Sequence, residues 1–506
     1  MTDKLHDAPA DGEDEFGKRE AELIAARRTN LAALRSRGID PFLATRYDVT
    51  DHAGDLAAQY GHLVPEEKAL DGSHAIAGRL MSVRVMGKTL FADIDDRSGR
   101  MQIYVRKDEV GDDAFAALKE LDRGDFMGVR GYVFRSKMGE LTLHAKTFEI
   151  LGKSLAPLPD KWHGLTDVEK RYRQRYVDLI VNPAVRNVFI ARSKIVAEMR
   201  RFIDAQGFYE VETPTLLHVA GGASARPFET HHNALDIPLN MRIATELYLK
   251  RLIVGGLERV YEIGRIFRNE GIDTKHNPEF TMLELYAAFW SVHEMMAFNE
   301  DLIAHLVRTV HGGDQLMYGE EPISFKQPFA KIGYLESLKQ YGGLDREQIL
   351  TADGAQQTLQ SFGLPKSPTH GHAIDKIFER IVEPHLTNPT FVYDIPVVLS
   401  PLAKRKADDP ELTDRYELFC AQMEVANAFT ELNDPDDQRK RFELQIAERS
   451  LDKEVPPPDW DFVTALEYGM PPTAGIGIGV DRLVMLLTNN TSIRDVILFP
   501  LQRPLH

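Results

Sequence analysis

The strongest constraint on what this chain can fold into lies in residues 261–286, YEIGRIFRNEGIDTKHNPEFTMLELY. The segment predicts two strands joined by a charged loop. In the second strand, the two-residue side-chain period puts Phe280, Met282, Glu284 and Tyr286 on one face, and Thr281, Leu283 and Leu285 on the other. A buried sheet face is normally apolar, so a face with two aromatics and a carboxylate points to a pocket for a flat ring and a cation. Arg268 ends the first strand, and the loop adds Glu270, Lys275 and His276. Together these groups suit a nucleotide and an amine.

Near the C-terminus, GIGIGVDRLVMLL alternates Gly475, Gly477 and Gly479 with Ile476, Ile478 and Val480. On a strand the glycines share a face, either a flat backbone surface for a planar ring or a place for close packing, while the branched residues fill the core side. The spacing is not the dinucleotide fingerprint G-x-G-x-x-G. Arg482 follows at the start of an apolar helix, a position suited to a phosphate. Glu417 and Glu424 lie seven residues apart, so in a helix they share a face and on adjoining strands they can share a metal. Carboxylates without His or Cys favour Mg²⁺ over zinc. Asn427, Phe429 and Glu431 are spaced by two and line one face of a strand.

A chain of 506 residues exceeds the roughly 250 to 300 at which one core stops growing, so several domains are expected. Residues 1–17 read as a polar, disordered tail and 18–74 as a helical extension, with an amphipathic helix from Arg19 to Arg37. Residues 75–153 carry five short alternating strands, with a helix-like Asp112 to Leu121 between the third and fourth. That order predicts a small closed barrel of the OB-fold type. Residues 154–182 read as a Pro-containing linker, and 183–506 as a larger α+β domain with an insertion near 335–375. It opens with a helix over Val188–Gln206 and a strand over FYEVETPTLL.

The net charge of -16 argues at first sight against a nucleic-acid partner. Between Ala75 and Lys153, however, 14 Lys and Arg stand against 12 Asp and Glu, so the barrel departs from the acidic trend. The single cysteine, Cys420, excludes an intrachain disulfide and fits a reducing compartment. No apolar run reaches the roughly 18 to 20 residues of a membrane span, and the N-terminus is acidic; the expectation is a cytoplasmic protein with no membrane partner.

These motifs carry a family resemblance. RIFRNEGIDTKHNPEFTMLELY resembles motif 2 of class II aminoacyl-tRNA synthetases, GIGIGVDR resembles motif 3, and the segment ending in VETPTLL, with Pro214, resembles motif 1. More narrowly, KRYRQRYVDLI, GGASARPFET, ELYLKRLIVGG, ANAFTELNDP and ALEYGMPPTAGIGIGVDR make residues 19 to 506 similar to bacterial-type lysyl-tRNA synthetases. The resemblance implies an antiparallel catalytic sheet, an anticodon-binding OB-fold, and a homodimer with motif 1 at its interface. ATP and L-lysine are the implied substrates, tRNA(Lys) the partner, and several Mg²⁺ ions the cofactor.

By the same resemblance Arg268 and Arg482 are the catalytic arginines, on the α- and γ-phosphates. Phe280 stacks on adenine, with Gly477 and Gly479 opposite, and Glu270, His276 and Asn277 contact the nucleotide. Glu417 and Glu424 hold metal. Gly222, Glu246, Glu284, Tyr286, Asn427, Phe429 and Glu431 line a lysine pocket, and Arg84, Phe91, Gln102 and Glu140 read the anticodon. A lysine ammonium enters charged, so its pocket must offer carboxylates.

The chain departs from the family pattern at Asn240 and Met241 ahead of Arg242, at Thr245 where proline is usual, at Val398 where glutamate is frequent, and at Gln422 and Met423 before Glu424. Two other functions remain open at this point: a synthetase-derived enzyme that lysylates a protein, and a non-catalytic nucleic-acid-binding protein on this scaffold. Retention of the barrel weighs against the first, and retention of Arg268, Glu417, Glu424 and Arg482 against the second.

Overall fold

The computed structural model describes residues 11–70, 72–159, 165–449 and 457–504. The chain divides into two compact units, Met1–Gly164 and Leu165–His506. In the first, helix α1 (Asp11–Ser36) begins before the expected Arg19 and takes in residues 11–17, which had been expected in the tail. Residues 1–10 of that tail lie outside the described residues. Gly38, at φ +78°, turns the chain after the helix, and α2 (Ala53–Tyr60) follows.

Five strands then close a barrel: β1 (His74–Met86), β2 (Thr89–Asp95), β3 (Arg100–Arg106), β4 (Phe126–Arg135) and β5 (Leu141–Gly152), in the order β1-β2-β3-β5-β4. Only β3 and β5 pair in parallel. Helix α3 (Asp112–Ala117) and a turn of 3₁₀ helix at Leu118–Glu120 lie between β3 and β4, as the OB-fold reading expects. Strand β2 shows the period of two: Leu90, Ala92 and Ile94 are buried, and Phe91 points to the other face. Leu34 of α1 and Leu56 of α2 join them in a single core.

The second unit starts with α4 (Val168–Arg173) and α5 (Arg175–Val181), inside the stretch expected as linker. The reason is electrostatic. Arg175 and Asp178 are fully buried 2.6 Å apart, and the same guanidinium donates to the carbonyls of Leu498 (3.0 Å) and Arg494 (2.9 Å). Helix α6 (Pro183–Ala205) follows, with proline in its first turn. The strand expected over 208–217 pairs with the main sheet only at β6 (Tyr209–Glu210), and Pro214, which has no N–H, lies beyond it.

The main sheet has eight strands. In chain order they are β6, β7 (Arg259–Phe267), β8 (Glu279–Ala288), β9 (Ala330–Gly333), β10 (Thr390–Tyr393), β11 (Arg415–Cys420), β12 (Met423–Thr430) and β13 (Thr473–Gly479); in space the order is β9-β10-β11-β12-β13-β8-β7-β6. The six central strands pair antiparallel, and the two outermost pairs are parallel. Helix α7 (Glu246–Val254) precedes β7, and α8 (Val292–His311) follows β8 and buries Met295, Leu302 and Leu306 against the sheet.

Between β9 and β10 lie α9 (Tyr334–Gly342), α10 (Arg346–Leu350), α11 (Ala352–Ser361) and α12 (His370–Ile381). This is the region expected as an insertion, and it has its own core around Leu338, Ile349, Leu359, Ile374 and Phe378. Its longest helix, α12, carries an apolar stripe of Ala373, Ile374, Ile377 and Phe378 toward that core. Helices α13 (Pro435–Arg449), α14 (Trp460–Glu467), α15 (Val480–Leu487) and α16 (Ile493–Val496) lie in the C-terminal part of the unit. Among the described residues no helix is long and apolar enough to cross a membrane.

Removing one partner of the buried Arg175–Asp178 pair strands a charge away from water. Asp178→Ala is expected to destabilise the second unit by about 3 to 5 kcal/mol, read from its denaturant midpoint, whereas a loss under 1 kcal/mol overturns the anchoring role.

Candidate active site

The site is assembled by sheet register. Glu284, Gly477, Asn427 and Glu417 form one lateral row across β8, β13, β12 and β11, and Tyr286, Gly475, Phe429 and Arg415 form the next. Residues paired across a sheet point to the same face. The intervening Leu283, Leu285, Ile476, Ile478, Ala426 and Ala428 point the other way into the core. One side of these strands is therefore core, and the other is the floor of a cleft.

Two adjoining cavities occupy that cleft. The first, about 380 Å³, is lined by Arg268, Glu270, His276, Asn277, Phe280, Glu284, Tyr286, Glu424, Gly477, Gly479 and Arg482. The second, about 440 Å³, reaches Arg415, Glu417, His372 and Asp375. Gly222, Glu246, Asn427 and Phe429 line both. Of the site residues expected in this unit, only Glu431 lines neither cavity.

The cationic end is built on Arg268 and Arg482. Arg268 lies with its guanidinium carbon 5.2 Å from the centroid of the Phe280 ring; burial lowers its pKa, and Glu270, Glu424 and Glu284 oppose that shift. Arg482 donates to the Glu424 carbonyl at 2.9 Å and lies 3.3 Å from Nε2 of His276, whose ring is in turn held by Asp273 at 2.9 Å. Asn277 donates to the carbonyl of Glu279 at 2.6 Å, while its buried Oδ1 has no hydrogen-bond partner among the described residues. Asp481 accepts from the Thr281 amide at 2.6 Å and from Arg192 at 2.5 Å, tying β8 to α15.

The acidic end lies deeper. Glu284 accepts from the Thr245 amide at 3.0 Å and from the Tyr286 hydroxyl at 3.3 Å. Burial first, then the Glu246 charge, pushes its carboxyl up to about 7. Glu246 is 2.5 Å from the ammonium of Lys250, which also pairs with fully buried Glu431. Over Gly475 a Cβ would collide with the Glu431 carboxylate and the Tyr286 ring. That glycine therefore permits close packing of protein groups and does not present bare surface to a ligand. Gly222, at φ +89°, faces Glu246, where an added Cβ would stand 3.3 Å from that residue's own Cβ.

Glu417 and Glu424 lie on adjoining strands, so the strand alternative for this pair is the observed one. Burial pushes Glu417 up to about 7; Arg415, 2.6 Å away, opposes the shift and the Glu424 charge adds to it. Among the described residues no three His, Cys, Asp or Glu side chains converge on a metal position. Lys250, Arg415, Asp375 and Asp481 were not anticipated from sequence. The first two carried a signal: Lys250 follows Glu246 by four residues on a helix and Arg415 precedes Glu417 by two on a strand. Asp375, from the insertion, carried none.

In the barrel, Phe91 pairs with Arg84 on β1 and Tyr104 on β3, and its ring lies 4.8 Å from that of Tyr104. It is half-buried on the outer face and outside the barrel core. Gln102 accepts from Thr142 at 3.0 Å, while Arg84 and Glu140 are exposed.

This architecture has counterparts among known proteins. The family described as tRNA synthetases class II (D, K and N) matches residues 167–503, and the OB-fold nucleic acid binding domain matches residues 75–151. The chain belongs to this family of class II tRNA synthetases, with the antiparallel catalytic sheet and N-terminal OB-fold of its members. It is 53% identical over 488 residues to a lysine-tRNA ligase of Bacillus subtilis, covering 95% of this chain and 97% of that one. A lysine-tRNA ligase of Moorella thermoacetica is 52% identical over 96% of this chain and 98% of its own, and one of Pelotomaculum thermopropionicum 53% identical over 96% and 95%.

Because Glu284 binds its proton more tightly when folded than when unfolded, its ionisation weakens the ligand-free protein as pH rises from about 4.5 through about 7. Glu284→Gln is expected to be more stable than the parent by about 1 to 3 kcal/mol at pH 8, the two converging below pH 4.5. A pH-independent difference in unfolding midpoints contradicts this.

Proposed function

We infer that this chain activates L-lysine with ATP, giving lysyl-adenylate and pyrophosphate, and transfers the lysine to the 3′ end of tRNA(Lys). The observation that carries this reading is one cleft with Arg268 and Arg482 at one end and Glu246 and Glu284 at the other, spanned by strand β8. The lysine-tRNA ligases matched over 95% of the chain support it.

Arg268 binds the α-phosphate, Arg482 the γ-phosphate, and adenine stacks on Phe280 between the sandwich wall of Gly477 and Gly479 and the loop carrying Glu270, His276 and Asn277. The unsatisfied Asn277 oxygen and the cationic rim support this assignment. The amino acid lies deeper, against Gly222, Glu246, Glu284, Tyr286, Asn427 and Phe429, with Glu431 behind. Its ammonium group, with a pKa near 10.4, enters charged and meets carboxylates. Its α-carboxylate, with a pKa near 3 to 4, is already ionised, so no general base is required.

A carboxylate oxygen forms a bond to the α-phosphorus while the bond to the bridging β-phosphate oxygen breaks, and pyrophosphate leaves. The protein contributes alignment of the two reactants and stabilisation by Arg268 of charge at the crowded phosphate. The donor set fits Mg²⁺, which is commonly bound by one or two carboxylates with phosphate and water completing the shell; burial chiefly lifts Glu417, and the Glu424 charge that adds to the shift is one a cation relieves. Glu417 and Glu424 would hold it, and when bound it supplies charge neutralisation on the phosphates and on the leaving pyrophosphate.

In the barrel, Phe91 stacks on an unpaired anticodon base and Arg84, Gln102 and Glu140 engage base edges, the arrangement that single-stranded recognition requires. A homodimer through α6 and the following segment is supported by Ile190, Tyr209 and Leu216, large apolar side chains exposed there. A single, buried thiol at Cys420 supports a cytoplasmic location.

Lysine-dependent exchange of pyrophosphate into ATP in the presence of Mg²⁺ tests the activity; exchange driven by aspartate or asparagine instead rejects it. Arg268→Ala is expected to lower this exchange by about 10²- to 10³-fold. Phe91→Ala is expected to leave exchange unchanged while weakening tRNA charging by about 1 to 3 kcal/mol, seen as a higher KM for tRNA.

A further inference from the structure

Lys250 has no role in the chemistry described above, yet it is the most deeply placed cation of the amino-acid end. Its side chain is fully buried, 2.5 Å from Glu246 and paired with Glu431, and its ammonium stands 5.3 Å from the Phe429 ring centroid and 5.6 Å from that of Phe462. A lysine is almost never fully buried unless paired. Here the cost is met by two carboxylates and two aromatic faces. Two carboxylates, Glu246 and Glu431, thus share one built-in ammonium before any amino acid binds.

We propose that Lys250 is a positioning residue for the amino-acid pocket: it holds Glu246 and Glu431 as an aligned pair, so that the pocket accepts a cationic amino acid and rejects a neutral one. This rests on the reading of the cleft as a lysine-activating site. The groups facing Glu431 are Lys250 and Glu246 from α7 and Glu284 and Tyr286 from β8; its neighbours Phe429 and Gly475 bring no charge. Burial pushes the Glu431 carboxyl above the ordinary range, Lys250 opposes that, and Glu246 and Glu284 add to it. Burial also pulls on the Lys250 ammonium, but Glu246 and Glu431 outweigh it and hold the proton on. Lys250 is therefore the internal cation that favours an ionised Glu431. Without it, burial and the Glu246 and Glu284 charges act on Glu431 unopposed, and the pocket loses the partner that aligns its carboxylates toward an ammonium.

The test compares the parent chain with Lys250→Met in pyrophosphate exchange, using lysine and norleucine, which lacks the terminal ammonium. The parent must show lysine-dependent exchange; its absence rejects the functional reading itself and not the role of Lys250 alone. Given that activity, K250M is expected to raise the KM for lysine at least tenfold, with kcat changed less than threefold and the KM for ATP within twofold. The preference for lysine over norleucine should fall at least tenfold. An unchanged lysine KM and preference, or a loss falling equally on lysine and ATP, overturns the proposal.

The double variant K250M/E431Q removes both charges of the pair together and guards against misfolding of the single variant. Its rise in lysine KM is expected to fall below the product of the two single-variant rises, because the two residues act as a unit. Independent, multiplying losses overturn it.

Discussion

Everything in the second unit depends on strands that serve two solvents at once. Along β8, Leu283 and Leu285 are sealed in the core while Glu284 and Tyr286, one residue away on either side, face the cleft. The period of two makes this possible, and it also makes it unforgiving. A slip of one residue in register would put Glu284 in the core and expose two leucines. The hydrophobic half of the strand therefore fixes the position of the chemical half, and the same holds for Ile476 and Ile478 beneath Gly475, Gly477 and Gly479.

Electrostatics then divides the cleft. Arginine guanidinium groups stand toward the mouth, where the Glu270 and Glu424 charges oppose the burial that lowers Arg268, and carboxylates stand deep, where desolvation raises Glu284 and Glu417 to about 7. Such pKa values describe a site that is unsatisfied when empty. A cation entering there would relieve that instability, so the same energy that weakens the ligand-free fold would favour a cationic ligand.

Much of this was legible in the chain. The alternation in residues 280–286 and in the glycine strand specified both faces before any contact was known, because strand period is a local property. The five barrel strands were legible for the same reason. What stayed hidden depends on partners remote in sequence. Residues 168–181 looked like connector until Arg175 met carbonyls near residue 497. The strand expected through Leu217 is interrupted after Glu210, with Pro214 just beyond. Gly475 read equally well as a ring platform or a close-packing position, and only the location of Tyr286 and Glu431 decides for packing. Lys250 could have been suspected from its spacing to Glu246, but not its pairing with Glu431, which lies 181 positions on in the chain.

The order of the strands has a consequence for how the protein is made. Strand β13 is the last of the sheet to be synthesised, yet it sits in the middle, between β12 and β8. Until residues 473–479 leave the ribosome, β7 and β8 on one side and β11 and β12 on the other are two half-sheets, each with an open edge. The barrel, complete by Gly152 and with its own core, faces no such wait. The nascent chain thus carries its finished barrel for some 320 residues of further synthesis before the main sheet can close, and during that interval Leu283 and Leu285 lack their β13 neighbour. A truncation before residue 473 would leave a folded barrel attached to an unclosed sheet, a species open to aggregation through its exposed strand edges.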